Sequence, residues 1–255
     1  MSLDIFKLDG QVALITGGAQ GLGMVMAKAL AGAGATLAVS SRNRNKALEA
    51  AEAIAEYSGH KALGLMADVT DTVQVNAMVQ SVIDEFGRID VLINNAGINI
   101  RKPIEEFADD EWDKVQNTNL KAPFLCTRAA AKQMKQQRYG RVINVSSMLG
   151  SVALPERSAY CSSKGGLLQL TKVLALEFAP YNITVNALCP GPMATELNAV
   201  VMNNTEVNKF FLDNIALGRW GNPEEIAGAV IYMASGASSF MTGASMFIDG
   251  GWTAK

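Results

Sequence analysis

Apolar residues along this chain come in short runs, each closed by a polar or glycine-bearing turn and followed by a longer stretch with helical spacing. Residues 11–16 form the first run and give way to Gly17-Gly-Ala-Gln20-Gly21-Leu22-Gly23. Met24, Met26, Ala27, Leu30 and Ala31 then mark one face of a helix that stops at Gly32-Ala-Gly34. Residues 36–41 are a second strand, which closes a strand–helix–strand unit. The alternation repeats: helix 45–58, strand 63–67, helix 71–86, strand 89–93, helical material over 109–138 with Pro123 at a break or first turn, strand 139–145, helix 159–178 and strand 184–188. A less regular polar stretch, 194–217, precedes a helix at 223–235 and a last strand at 245–248. Asn222 suits the N-cap of that helix and Pro223 its first turn. Continuous apolar strands alternating with helices predict an α/β fold, a doubly wound parallel sheet covered by helices on both faces. No linker or internal repeat divides it, so residues 1–255 are expected to form a single domain.

Composition changes this picture only by exclusion. With 49% apolar and 18% charged residues the chain is built for one substantial core. A net charge of −2 and no Lys/Arg run leave no electrostatic case for nucleic acid. No apolar stretch approaches the ~18 residues of a membrane span, and the start carries acids where a secretory signal would be apolar. Cys126, Cys161 and Cys189 are odd in number and widely spaced, the pattern of reduced cysteines in a cytoplasmic protein. The single histidine, His60, sits in a Gly-His-Lys loop, and no metal site is expected.

Ligands bind beyond the carboxyl ends of the strands in such a sheet. Polar and glycine-rich residues fall there: 16–23, Ser41-Arg42, Asp68-Val69, Asn94-Asn95-Ala96-Gly97, Ser146-Ser147 and Pro190-Gly191. Strand, glycine turn and helix in that order put backbone N–H groups against a phosphate. Tyr160 and Lys164 are one helical turn apart on a helix without proline. A cation beside a phenol favours the phenolate, so the pair is a candidate general acid/base for a C–OH or C=O group.

The set Thr16-Gly17-x3-Gly21-x-Gly23, Asp68, Asn94-Asn-Ala-Gly97, Asn119, Ser147, Tyr160-x3-Lys164 and Pro190-Gly191 with Thr195 resembles the short-chain dehydrogenase/reductase family over about residues 8–252. Ser147 lies 13 residues before Tyr160, the spacing usual there, and is preferred over Ser146. The resemblance implies a Rossmann-type dinucleotide-binding and catalytic domain that interconverts a ketone and a secondary alcohol. Tyr160 would exchange the proton, Lys164 would bond the nicotinamide ribose, Ser147 would orient the reacting oxygen, and Asn119 would help hold a water linking Lys164 to solvent. Gly17, Gly21 and Gly23 would approach the pyrophosphate, with Gln20 and Leu22 beside them. Asp68 would bond the adenine, unless it is an ordinary helix cap, with Val69 next to it. Asn95, Ala96 and Gly97 would border the cofactor, Pro190, Gly191 and Met193 would flank it, and Thr195 would meet the carboxamide.

NAD-using relatives place an acid at the end of the second strand; this chain has Ser40-Ser41-Arg42. No carboxylate repels a 2′-phosphate there and Arg42 can pair with one, so NADP(H) is preferred over NAD(H). Against it, Gln20 stands where many NADP-using relatives carry Lys or Arg. The segments 94–103, 218–221 and 249–252 resemble gluconate 5-dehydrogenases and 2-deoxygluconate 3-dehydrogenases. A sugar acid is therefore the expected small-molecule substrate, with Arg101 and Arg157 as candidates for its carboxylate. Residues 194–217 would be the lid. The alternatives are a 3-oxoacyl-carrier-protein reductase and, more distantly, a cofactor-binding regulator without turnover. The family resemblance also implies a homotetramer joined through helices near 111–137 and 158–179, where Ala129, Ala130, Ala131, Gly165 and Gly166 would permit close approach.

Overall fold

The computed structural model describes residues 2–254, apart from the side chain of Leu197. Among the described residues, β1 (Val12–Ile15), β2 (Thr36–Ser41), β3 (Ala62–Met66), β4 (Val91–Asn94), β5 (Gly140–Val145), β6 (Ile183–Pro190) and β7 (Ser245–Ile248) form one sheet. Their order is β3-β2-β1-β4-β5-β6-β7 and every pairing is parallel. Ile15 of β1 lies opposite both Val39 of β2 and Ile93 of β4. From β1 the chain runs outward through β2 and β3, then returns to lay β4 against the other side of β1. That reversal opens a crevice at the carboxyl edge between β1 and β4.

Helices cover both faces because the central strands are buried at every position. On one face α1 (Gly21–Gly32) and α2 (Arg44–Ser58) pack Met26, Leu30 and Ile54 against Ile15, Val39 and Ile93. On the other, α3 (Thr72–Phe86) contributes Val75, Met78 and Val82. Beyond α4 (Asp109–Gln116), α5 (Ala122–Gln137) and α6 (Ser158–Phe178) add Leu125, Ala130, Leu174 and Phe178 to that second core. No helix among the described residues is long and apolar enough to cross a membrane, and no cluster of His, Cys, Asp and Glu there could hold a metal.

Element positions agree with the sequence pattern to within two residues at most ends, and the departures have local causes. Pro123 does not break the 109–138 segment but sits in the first turn of α5, where its missing N–H costs nothing. The interruption comes earlier, as a π-turn at Asn117–Lys121. The polar stretch 194–217 holds α7 (Ala199–Met202) and α8 (Thr205–Asn214). No α8 residue is buried, and apolar positions such as Val207, Phe210 and Phe211 are interleaved with Asn208 and Lys209. The 223–235 segment is a 3₁₀ turn, Pro223–Ile226, followed by α9 (Ala227–Ala234), whose Val230 joins the first core. Two of the small residues expected at a subunit contact, Gly165 and Gly166, are partly exposed and also lie close to neighbours within the chain. A Cβ on Gly166 would come within 3.0 Å of Leu120 Cδ2, one on Gly165 within 3.3 Å of the Gly150 carbonyl oxygen, and Ala130 is fully buried.

Leu30 is fully buried between α1 and the sheet, far from the Tyr160 region in the chain. Leu30→Ala is expected to cost about 2–5 kcal/mol in urea unfolding, because the cavity it leaves can collapse only partly.

Candidate active site

The glycine turn between β1 and α1 is built to receive a phosphate. Gly17 and Gly21 hold φ of 63° and 53°, left-handed values that favour glycine, and a Cβ on Gly21 would meet nothing within 4 Å. Helix α1 starts at Gln20 without any side-chain cap bond, leaving its first N–H groups to a ligand. Gly23 is small for a different reason: its Cβ would lie 2.4 Å from the Gly17 carbonyl oxygen, so it lets the turn close on α1. The turn is tied to the end of β4. Asn95 Nδ2 donates to the carbonyls of Thr16 and Gly17, both at 3.0 Å, and the N–H groups of Asn95 and Ala96 donate to Thr16 Oγ1 at 3.0 and 3.2 Å.

Other strand ends complete the edge. Ser41 Oγ accepts from Asn43 N–H, and Arg42 is exposed at the end of β2. Asp68 follows β3 and accepts from the N–H and hydroxyl of Thr70 at 2.9 and 2.7 Å, with Val69 buried beside it. It is not the helix cap; Asp71 caps α3 instead. After β6, Gly191 lies so close to Asp249 that a Cβ would approach its Cα to 2.4 Å. Met193 is buried and bridges to Gly221, and Thr195 is partly exposed at the start of the 194–217 segment.

Beyond β5 the two serines have separate duties. Ser146 Oγ donates to the Lys164 carbonyl at 3.0 Å and pins the backbone of α6, whereas Ser147 Oγ accepts from Leu149 N–H at 3.1 Å and acts on the Tyr160 phenol, favouring its ionisation. Lys164 Nζ donates to the Val145 carbonyl at 2.7 Å and stands 5.7 Å from the centre of the Tyr160 ring. A Cβ on Gly97 would lie 3.6 Å from that Nζ, so the β4 turn meets α6 at this point. Burial lowers the Lys164 pKa to about 8. The Tyr160 pKa moves the opposite way from the sequence expectation. Burial raises it, and the Ser147 hydrogen bond and the Arg101 charge offset only part of that rise. With the ammonium turned to Val145, the phenol is protonated at neutral pH.

Asn119 lies in the π-turn and is fully buried. Its Oδ1 accepts from Ile98 N–H at 2.8 Å, and its Nδ2 donates to the Ile98 carbonyl at 2.8 Å and to Ser163 Oγ at 3.1 Å. Both amide hydrogens are therefore committed to holding the post-β4 loop against α6, and neither is left for a water.

Two guanidinium groups lie close to each other near this region. The charge of Arg101 acts on both Tyr160 and Arg157. Lys102, next in the chain, is bound by Glu111 at 2.6 Å, but Arg101 makes no ion pair among the described residues. Arg157 is largely covered, with 12% of its side chain exposed, and its nearest acid is Glu156 at 3.9 Å. Glu156 takes a left-handed φ of 61°, a conformation costing of order 1–3 kcal/mol for a residue with a Cβ. Two further polar atoms nearby were not picked out from the sequence: Asn99 Oδ1 and Ser158 Oγ are buried without a partner. Only the fold, which sets residues 99–102 beside 156–158 through the Lys102 N–H to Glu156 carbonyl bond, brings them together.

A family model described as enoyl-(acyl carrier protein) reductase matches residues 17–253. The 2-dehydro-3-deoxy-D-gluconate 5-dehydrogenase of Dickeya dadantii is 39% identical over 260 residues, covering 100% of both chains. The gluconate 5-dehydrogenase of Gluconobacter oxydans is 37% identical, covering 98% of this chain and 97% of its own. This chain belongs to the short-chain dehydrogenase/reductase family. A crystal structure of a family member, the gluconate 5-dehydrogenase from Burkholderia cenocepacia in complex with NADP and tartrate, superposes with a TM-score of 0.97 at 36% identity, covering 100% of both chains. As a short-chain dehydrogenase/reductase the protein is a nicotinamide-dependent oxidoreductase acting on CH–OH groups. Its own residues fit such a dinucleotide: the open face of Gly21, the uncapped α1 and the buried, unpartnered Ser40 Oγ at the end of β2 all lie along one edge.

Two measurements check this short-chain dehydrogenase/reductase site. Spectrophotometric titration of the ligand-free protein, differenced against Tyr160→Phe, should show no Tyr160 phenolate below the ordinary tyrosine value of 10.0; ionisation near pH 8 would contradict the burial argument. Asn119→Ala should speed hydrogen exchange in residues 97–102, since it frees both backbone groups of Ile98.

Proposed function

We propose that the protein interconverts a keto and a hydroxy sugar acid, of the gluconate/5-ketogluconate kind, using NADP(H) in preference to NAD(H). The observation that carries this reading is the pair Arg101 and Arg157, which act on one another, with the Arg101 charge also acting on the Tyr160 phenol. Two like charges drawn together, one of them mostly desolvated, repel; a substrate carboxylate between them relieves that repulsion and gains charge-assisted bonds. The unpartnered Asn99 Oδ1 and Ser158 Oγ suit sugar hydroxyls. A neutral cyclic ketone or an acyl thioester offers no charge for the pair.

A bound nicotinamide dinucleotide supplies or accepts the hydride at the carbon. Gly17, Gly21 and Leu22 would hold its pyrophosphate, Ser41 and Arg42 its adenosine ribose, and Asp68 and Val69 its adenine. Asn95, Ala96, Gly97, Gly191 and Thr195 would flank the rest. Ser147 orients the substrate oxygen. Tyr160, protonated at rest, gives its proton to that oxygen in reduction and takes one back in oxidation. Lys164 stands one helical turn from the phenol and keeps a cation on the ribose side of the site. NADP(H) is supported by the absence of a carboxylate at Ser40-Ser41-Arg42 and by the NADP complex of the Burkholderia cenocepacia relative.

The same reading extends to assembly as a homotetramer through α5 and α6, on which Phe124, Val173 and Leu176 are exposed.

Tyr160→Phe should lose roughly 10³-fold in kcat while retaining dinucleotide binding; a variant keeping most of its turnover would remove Tyr160 from the reaction. Arg101→Met and Arg157→Met should each raise KM for 5-ketogluconate by roughly tenfold or more and leave a neutral ketone unaffected. Equal losses on both substrates would argue against the sugar-acid reading.

A further inference from the structure

Gln20 occupies the place in the glycine turn where a cation would favour a 2′-phosphate, and the structure shows what stands over it. Lys46 reaches across from α2 and its Nζ donates to Gln20 Oε1 at 3.3 Å. That contact spans the gap between the glycine turn and the end of β2, the two segments that flank the adenosine ribose in this fold. The bond is between a cation and a neutral amide, and among the described residues Lys46 makes no ion pair with a carboxylate.

The charges around Lys46 reinforce the point. Helix α2 begins at Arg44 under the cap of Asn43, with no acid in its first turn. Arg42, Arg44 and Lys46 are all exposed there. Cations at a helix N-terminus oppose the helix dipole, which favours anions at that end. Three of them without an acidic partner form an arrangement that a bound anion would stabilise.

We infer that Lys46 is a ligand of the cofactor's 2′-phosphate, parked on Gln20 in the ligand-free protein and supplying from α2 the cation that the glycine turn lacks. This rests on the NADP(H) reading above. Gln20 is then a positioning residue that holds the ammonium over the ribose edge, while Arg42 approaches the same phosphate from the end of β2. No bond is made or broken; the ammonium exchanges a neutral acceptor for a dianionic one.

The test is calorimetric titration of the ligand-free protein with adenosine 2′,5′-bisphosphate and with adenosine 5′-monophosphate, which needs no turnover. The wild type should bind the bisphosphate more tightly. Lys46→Gln should weaken bisphosphate binding by roughly tenfold, the scale of one charge-assisted contact, and leave monophosphate binding unchanged. Lys46→Arg should restore most of the loss. If the wild type prefers the bisphosphate but Lys46→Gln does not weaken it, or weakens both ligands equally, Lys46 is not a phosphate ligand while the NADP(H) reading stands. If the wild type binds the two ligands equally, the NADP(H) reading itself fails.

Discussion

A buried ammonium group sets the terms for this molecule. Lys164 lies at 4% exposure with its Nζ on the Val145 carbonyl, at the carboxyl end of the central β5 strand. Desolvation opposes the charge and brings the pKa down to about 8. The linkage has a definite sign. Between about 8 and the ordinary value of 10.5 the unfolded chain binds more protons than the folded one, so this group makes the fold more stable as pH rises through that window. At neutral pH the charge is a cost to the fold, offset elsewhere in the sheet. A protein that retains such a group in its core is trading stability for chemistry.

That group does not act on Tyr160 as sequence spacing alone suggests. One helical turn of separation fixes proximity, and the 5.7 Å from Nζ to ring centre bears it out. Spacing says nothing about what else surrounds the phenol. Burial of the ring and the diversion of the ammonium to Val145 keep the phenol neutral in this state. A neutral phenol is the form needed to protonate a carbonyl oxygen. The direction of the perturbation thus comes from packing, which residue spacing does not encode.

The same division runs through the rest of the structure. Strand ends were legible because a buried parallel strand must be apolar throughout, and the polar residues that follow it mark the sheet edge. The two serines have different surroundings: Ser146 bonds the Lys164 backbone, whereas Ser147 acts on the Tyr160 phenol. Asn119 was located, but its work of bracing Ile98 depends on a π-turn that no local pattern announces. Helix α8 escaped because its few apolar residues, such as Val207, Phe210 and Phe211, sit in a short segment otherwise rich in polar residues. Smallness at Gly165 and Gly166 also serves contacts within the subunit, against Gly150 and Leu120, which spacing alone does not reveal.

A net charge of −2 says little about how charge is placed locally. Arg42, Arg44 and Lys46 lie exposed together at the start of α2, and Arg101 acts on both Arg157 and the Tyr160 phenol. Acids that would neutralise neighbouring lysines are used locally, as Glu111 is on Lys102. A low-dielectric cleft lined by unpaired like charges focuses its field on whatever enters. Within the 194–217 segment, Phe211 of α8 stacks on Trp220 at 5.1 Å and meets Trp252 at 5.3 Å. An apolar clasp of this kind holds α8 to the chain's last turn without adding charge, so binding an acid need not compete with an ion pair across the lid. On the proposed reading, selectivity would follow from two groups of cations along a single sheet edge, with Tyr160 as the proton donor and the overall charge left slightly negative.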